Sequence, residues 1–125
     1  MKLNVFFSTI ILFLTSCHFA QKNVSLINSE TLITMCAEKN KSIKLIDVRT
    51  ETEFKKGSID NALNIDFWDP EFDKRITECT SKKDIVIVFC AGGGRSAMAC
   101  KKLNKMGYKE LYDLEGGYES FVKQH

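Results

Sequence analysis

From residue 24 onward, short apolar runs alternate with segments whose apolar residues recur at helical spacing. Val24-Ser25-Leu26-Ile27 reads as a strand, and Asn28 or Ser29 can cap a helix after it. That helix places Leu32, Ile33, Cys36 and Ala37 on one face. Residues 43–48 read as a second strand, 50–56 as a short charged helix ended by Gly57, and 62–65 as a third strand. Pro70 suits the first turn of a helix running to Cys79. The strongest strand spans 84–90, where Ile85-Val86-Ile87-Val88-Phe89 has no polar residue. Such a run belongs to a strand buried on both faces of a parallel sheet. A glycine-rich turn then leads into a helix over 95–106, ended by Gly107. Residues 110–114 form a last strand, and Gly116-Gly117 opens a final helix. The alternation predicts an α/β fold, a parallel sheet with helices on both faces, in one domain over 24–125.

The start of the chain is of another kind. Between Lys2 and Lys22 there is no Asp, Glu, Lys or Arg, and an apolar run extends from Val5 to Leu14. The formal net charge of +2 therefore rests on those two lysines, and the rest is balanced. Ten helical residues rise only about 15 Å, half of a hydrocarbon core, so the run is a poor membrane span. Its length and flanks are those of a secretory signal peptide over residues 1–16. A hydrophobic N-terminal core helix is the alternative, and nothing in the sequence caps it. Leu14-Thr15-Ser16-Cys17 resembles the lipobox of bacterial lipoproteins. The resemblance implies cleavage before Cys17 and acylation of its thiol, with residues 17–23 as a tether. It also implies a place in the bacterial cell envelope or periplasm, held to a membrane by that anchor alone. Ordinary secretion, with Cys17 incidental, is the other reading.

Composition narrows the function. At 44% hydrophobic and 27% charged the chain is globular. A balanced body has no basic field with which to hold a nucleic acid. His18 and His125 lie near the two ends, so neither a zinc site nor a histidine-based triad is expected, and no cofactor is called for. In an oxidising envelope a disulfide between Cys36 and Cys79 is permitted, though spacing cannot establish one. Cys100, at helical spacing from Ala97 and Leu103, reads as core.

Ligands of open parallel sheets bind beyond the carboxyl ends of the strands. After the most apolar strand comes Cys90-Ala91-Gly92-Gly93-Gly94-Arg95-Ser96. Consecutive glycines let successive amides converge, the following helix adds its positive end, and Arg95 adds a permanent cation. A cysteine facing such a ring is expected to have a depressed pKa and to act as a nucleophile. An isolated cysteine at a strand end would more simply be an inert core residue. The glycine run and Arg95 favour the nucleophile, and the ring fits an anionic substrate.

On these residues the chain resembles the rhodanese, or sulfurtransferase, domain family, over about Ser25 to Lys123. Leu45-Ile46-Asp47-Val48-Arg49, Glu53-Phe54 and the stretch Gly57-Ser58-Ile59-Asp60-Asn61-Ala62-Leu63-Asn64-Ile65 resemble its first block. Cys90 to Ser96 resembles its active-site loop, and Leu114-Glu115-Gly116-Gly117 with Phe121 its closing block. The resemblance implies a five-stranded parallel sheet between helices. It also implies a reaction in which Cys90 takes the sulfane sulfur of a donor such as thiosulfate and passes it to a cyanide or thiol acceptor. The amides of Ala91, Gly92, Gly93, Gly94, Arg95 and Ser96 would then hold the anion, with Arg95 steering the donor. Ser58 stands where the family often has histidine, and Phe121 where it often has tryptophan. Residues 91–94 carry no charge, unlike some thiosulfate-using relatives. Asp47 is expected in a structural hydrogen-bonding role, and Arg49 with Glu53 as a scaffold ion pair. A monomer is expected.

Two other classes share these features. Cysteine phosphatases and arsenate reductases also close an amide ring with arginine, but a tetrahedral oxyanion needs one more residue than the four between Cys90 and Arg95. Binding-only modules of this fold commonly lose the cysteine, which is present here.

Overall fold

In the computed structural model, residues 23–39 and 41–125 are described. The elements are β1 (Val24–Ile27), α1 (Ser29–Ala37), β2 (Ile43–Asp47), α2 (Glu51–Lys55), β3 (Leu63–Asn64), α3 (Phe72–Cys79), β4 (Ile85–Phe89), α4 (Gly94–Lys105), β5 (Glu110–Leu114) and α5 (Gly117–Gln124). All strands are parallel in the order β1-β5-β4-β2-β3. The apolar run of β4 therefore takes the central place, and each of its five residues is buried. Strand alternation divides them between two cores. Val86 and Val88 pack with Phe72 and Ile76 of α3 and Ala99 and Leu103 of α4. Ile85, Ile87 and Phe89 face the opposite side with Leu32 of α1, joined by Tyr118 and Phe121 of α5. The chain is thus a three-layer α/β domain, as the alternation of elements predicts.

Two local expectations need correction. In α1 only Ser29 and Leu32 are buried, with Met35 half-buried; Ile33, Cys36 and Ala37 are exposed. The helix touches the body along one i, i+3, i+6 ridge, narrower than the broad face its apolar residues offer. Asn28 is its cap, accepting from the Thr31 amide at 2.9 Å. Pro70 precedes α3 instead of opening it, in a turn where Asp69 takes the Glu71 and Phe72 amides. The apolar run and Cys17 lie outside the described residues. No helix among those described is long and apolar enough to cross a membrane.

Candidate active site

Because β4 is central, its carboxyl end places Cys90 at the middle of the sheet edge where ligands of open parallel sheets bind. The thiol sits at the floor of the loop, 1% exposed. Its sulfur accepts the Gly93 amide at 3.0 Å and lies 3.6 Å from the Ser96 hydroxyl, which in turn donates to the Gly93 carbonyl at 3.1 Å. Gly93 has φ 115, a left-handed conformation that glycine alone adopts without strain, and there the chain turns into α4. The first amides of that helix are thereby aimed at the sulfur. Burial pushes the Cys90 thiol up, but the Ser96 amide and hydroxyl and the amides of Gly93 and Arg95 outweigh it, leaving it below its ordinary value. Gly94 has no need of an unusual backbone. A Cβ at Gly93 or Gly94 would meet nothing within 4 Å, so the outer side of the loop is open for an incoming molecule.

The loop is held from behind by α5. The amides of Tyr118 and Glu119 donate to the carbonyls of Cys90 at 2.8 Å and Ala91 at 3.0 Å. Gly117 makes this approach feasible: its φ is +58, and a Cβ there would stand 2.5 Å from both carbonyl oxygens. Gly117→Ala should therefore cost about 3 kcal/mol, through left-handed strain plus overpacking. Thermal unfolding checks the cost, and an unchanged midpoint would show that α5 does not clamp the loop.

The charged residues are paired differently from the sequence expectation. Arg49 does not bind Glu53. It reaches inward to Asp47, with Nη2 to Oδ2 at 2.7 Å and Nε to Oδ1 at 3.0 Å. It also donates to the Gly57 carbonyl at 2.7 Å and lies over the Tyr118 ring at 4.3 Å. Glu53 instead grips Arg95 through two bonds, Nη1 to Oε2 at 2.7 Å and Nη2 to Oε1 at 2.8 Å. The reason is local. Thr50 and Glu53 form a reciprocal capping box that turns the Glu53 carboxylate over the start of α2, toward the loop. Arg49 precedes that cap and points into the domain. The Arg95 guanidinium, more than Thr50, holds the Glu53 carboxyl at about 2, so this pair stays charged at any ordinary pH.

Asp47 is fully buried and also accepts from the Arg49 amide and the Ser58 hydroxyl. Cys100 is core, and burial raises its thiol. Cys36 and Cys79 are exposed and free. Two residues escaped the sequence reading. Asn64 ties the carbonyls of Asp47 and Arg49 together at 3.1 and 2.9 Å; its β-edge position gave no signal. Asp113 is buried beneath α4. Strand alternation places it on the same face as Leu111, which was a readable sign.

The fold and site are those of a parallel α/β domain with a lowered thiol in a loop of amides, followed by an arginine. The rhodanese-like domain family matches residues 28–124, and the chain belongs to that family. Rhodanese-like domain-containing protein 17 of Arabidopsis thaliana is 30% identical, over 98% of this chain and 88% of its own. A sulfurtransferase of Allochromatium vinosum is 34% identical, over 80% of this chain and 90% of its own. Among solved structures, a rhodanese-related protein from Thermoplasma volcanium superposes with a TM-score of 0.68 at 29% identity, covering 80% of this chain and 92% of the other.

Proposed function

We propose that the protein is a sulfurtransferase that carries sulfur as a persulfide on Cys90. The observation that carries this reading is the Cys90 sulfur itself, held by the Gly93 amide at 3.0 Å under an open glycine loop. Thiosulfate is the simplest donor. The thiolate forms a bond to its outer sulfur, the sulfur–sulfur bond of thiosulfate breaks, and the electron pair leaves on sulfite. Cyanide, or a thiolate acceptor, then bonds the outer persulfide sulfur, and Cys90 departs as the thiolate again. Loop amides stabilise the negative sulfur in both states. Glu53 uses one N–H of each terminal Arg95 nitrogen, and the remaining guanidinium donors are available to the donor anion.

Intact-mass spectrometry before and after thiosulfate, on wild type and Cys90→Ser, tests the proposal. A gain of one sulfur atom, absent from the variant and released by cyanide as thiocyanate, is the expected result. No adduct with any sulfane donor, on a folded protein with reduced Cys90, would sink it. Arg95→Lys keeps the charge but loses the fork that serves Glu53 and the anion together. It should lower kcat/KM for thiosulfate by about tenfold or more; an unchanged value would remove Arg95 from donor binding. We also propose export, with Cys17 as a lipid anchor, on the strength of the apolar run and the Leu14-Thr15-Ser16-Cys17 motif. Labelling with a palmitate analogue in bacteria should mark the wild type and spare Cys17→Ser.

A further inference from the structure

The sheet register puts Asp113 of β5 between Leu26 of β1 and Val88 of β4, so the three side chains share one face. Helix α4 covers that face over the inner strands, where Val88 is fully buried. It stops short of β1, the outermost strand, and Leu26 is left 67% exposed. Between the flank of α4 and β1 lies a cavity of about 570 Å³, a size that suits a small molecule. Val24, Leu26 and Ala97 give it an apolar wall. Ala97, Lys101 and Asn104 recur at i, i+4 and i+7 and form the ridge of α4 on that side.

Asp113 lines the same cavity and is itself 5% exposed. Its Oδ1 is buried without a hydrogen-bond partner among the described residues. The Ser96 hydroxyl gives its proton to the Gly93 carbonyl at 3.1 Å. Lys101 is exposed and leaves Oδ1 without a bond. A buried carboxyl with an unmet oxygen is costly, and a group that a ligand completes is the usual reason for keeping one.

We propose that this cavity is a binding site for a small organic ammonium, a primary amine on an apolar body, with Asp113 as its counter-charge. An ammonium head brings three donors and a positive charge to the carboxylate. An alcohol would bring one donor and no charge, and an anionic head would be repelled. The anion loop around Cys90 and this cavity therefore select ligands of opposite sign. The apolar body covers Leu26 and Val24, and the Asn104 carbonyl is available to a further N–H of the head. Burial pushes the Asp113 carboxyl up, as expected of an acid that lacks a cation beside it.

Hexylamine is the probe, titrated at neutral pH into the isotope-labelled full chain while amide NMR signals are followed. Saturable shifts are expected at the amides of Ala97, Lys101 and Asn104. Hexanol and hexanoate should bind about tenfold more weakly or worse, and Asp113→Asn should weaken hexylamine by about the same factor. Leu26→Ser, a change on the exposed side of an edge strand, should weaken it about threefold through lost apolar cover. Shifts that never saturate, or that spare these amides, would overturn the proposal. Equal affinity for hexanol would do the same, as would undiminished binding by Asp113→Asn. If Asp113→Asn does not fold, the comparison of amine with alcohol and the Leu26→Ser variant decide the matter. None of these readouts depends on sulfur transfer at Cys90.

Discussion

Cys90→Ser should reduce thiocyanate formation from thiosulfate and cyanide by about 10⁴-fold or more, to the level of the uncatalysed reaction. The amide loop holds the Cys90 thiol below its ordinary value, whereas a serine hydroxyl starts several units higher. A serine oxygen also cannot form the sulfur–sulfur bond that stores the transferred atom. The fold should survive, since the oxygen still accepts the Gly93 amide and the site's open side lies beyond the loop. Circular dichroism and thermal unfolding like those of wild type must accompany the loss. Folded Cys90→Ser that retained even a hundredth of the activity would mean that sulfur transfer does not pass through this residue.

The parts of this site that the sequence reveals are those encoded by local chemistry. The β4 run announces a central strand because five consecutive apolar residues have nowhere else to be buried. Cys90 follows it directly, and three glycines after a strand have no packing purpose that one would not serve. Partner choice is less legible. Arg49 and Glu53 are four apart, as a helical ion pair should be, yet the helix begins only at Glu51, so Arg49 lies outside it. The capping box that redirects Glu53 was itself readable, as Thr50 and Glu53 in the Thr-x-x-Glu pattern. Its consequence for Arg95 was not, because those residues meet only through the tertiary fold. The α1 ridge fails for a similar reason: periodicity marks apolar positions, but the width of the neighbouring surface decides how many are covered.

The second large effect belongs to the pair that sequence spacing misassigned. Arg49→Met should destabilise the domain by about 3–5 kcal/mol, the usual cost of leaving one member of a buried pair alone. Asp47 is fully buried, and the Arg49 side chain is 6% exposed, so water cannot replace the guanidinium. The Ser58 hydroxyl and the Arg49 amide would still reach Asp47, but neither brings a charge. The same substitution removes the bond to the Gly57 carbonyl and the cover over Tyr118, whose amide holds Cys90. For a domain of this size the midpoint of thermal unfolding should fall by roughly 12 °C or more. A double variant carrying Asp47→Asn as well should recover part of that loss, because the uncompensated charge has gone. If instead Arg49→Met and the double variant unfold together near the wild-type temperature, the pair contributes nothing to stability. The turn between β2 and α2 would then depend on Asn64, which bridges the Asp47 and Arg49 carbonyls, and on the Thr50 cap.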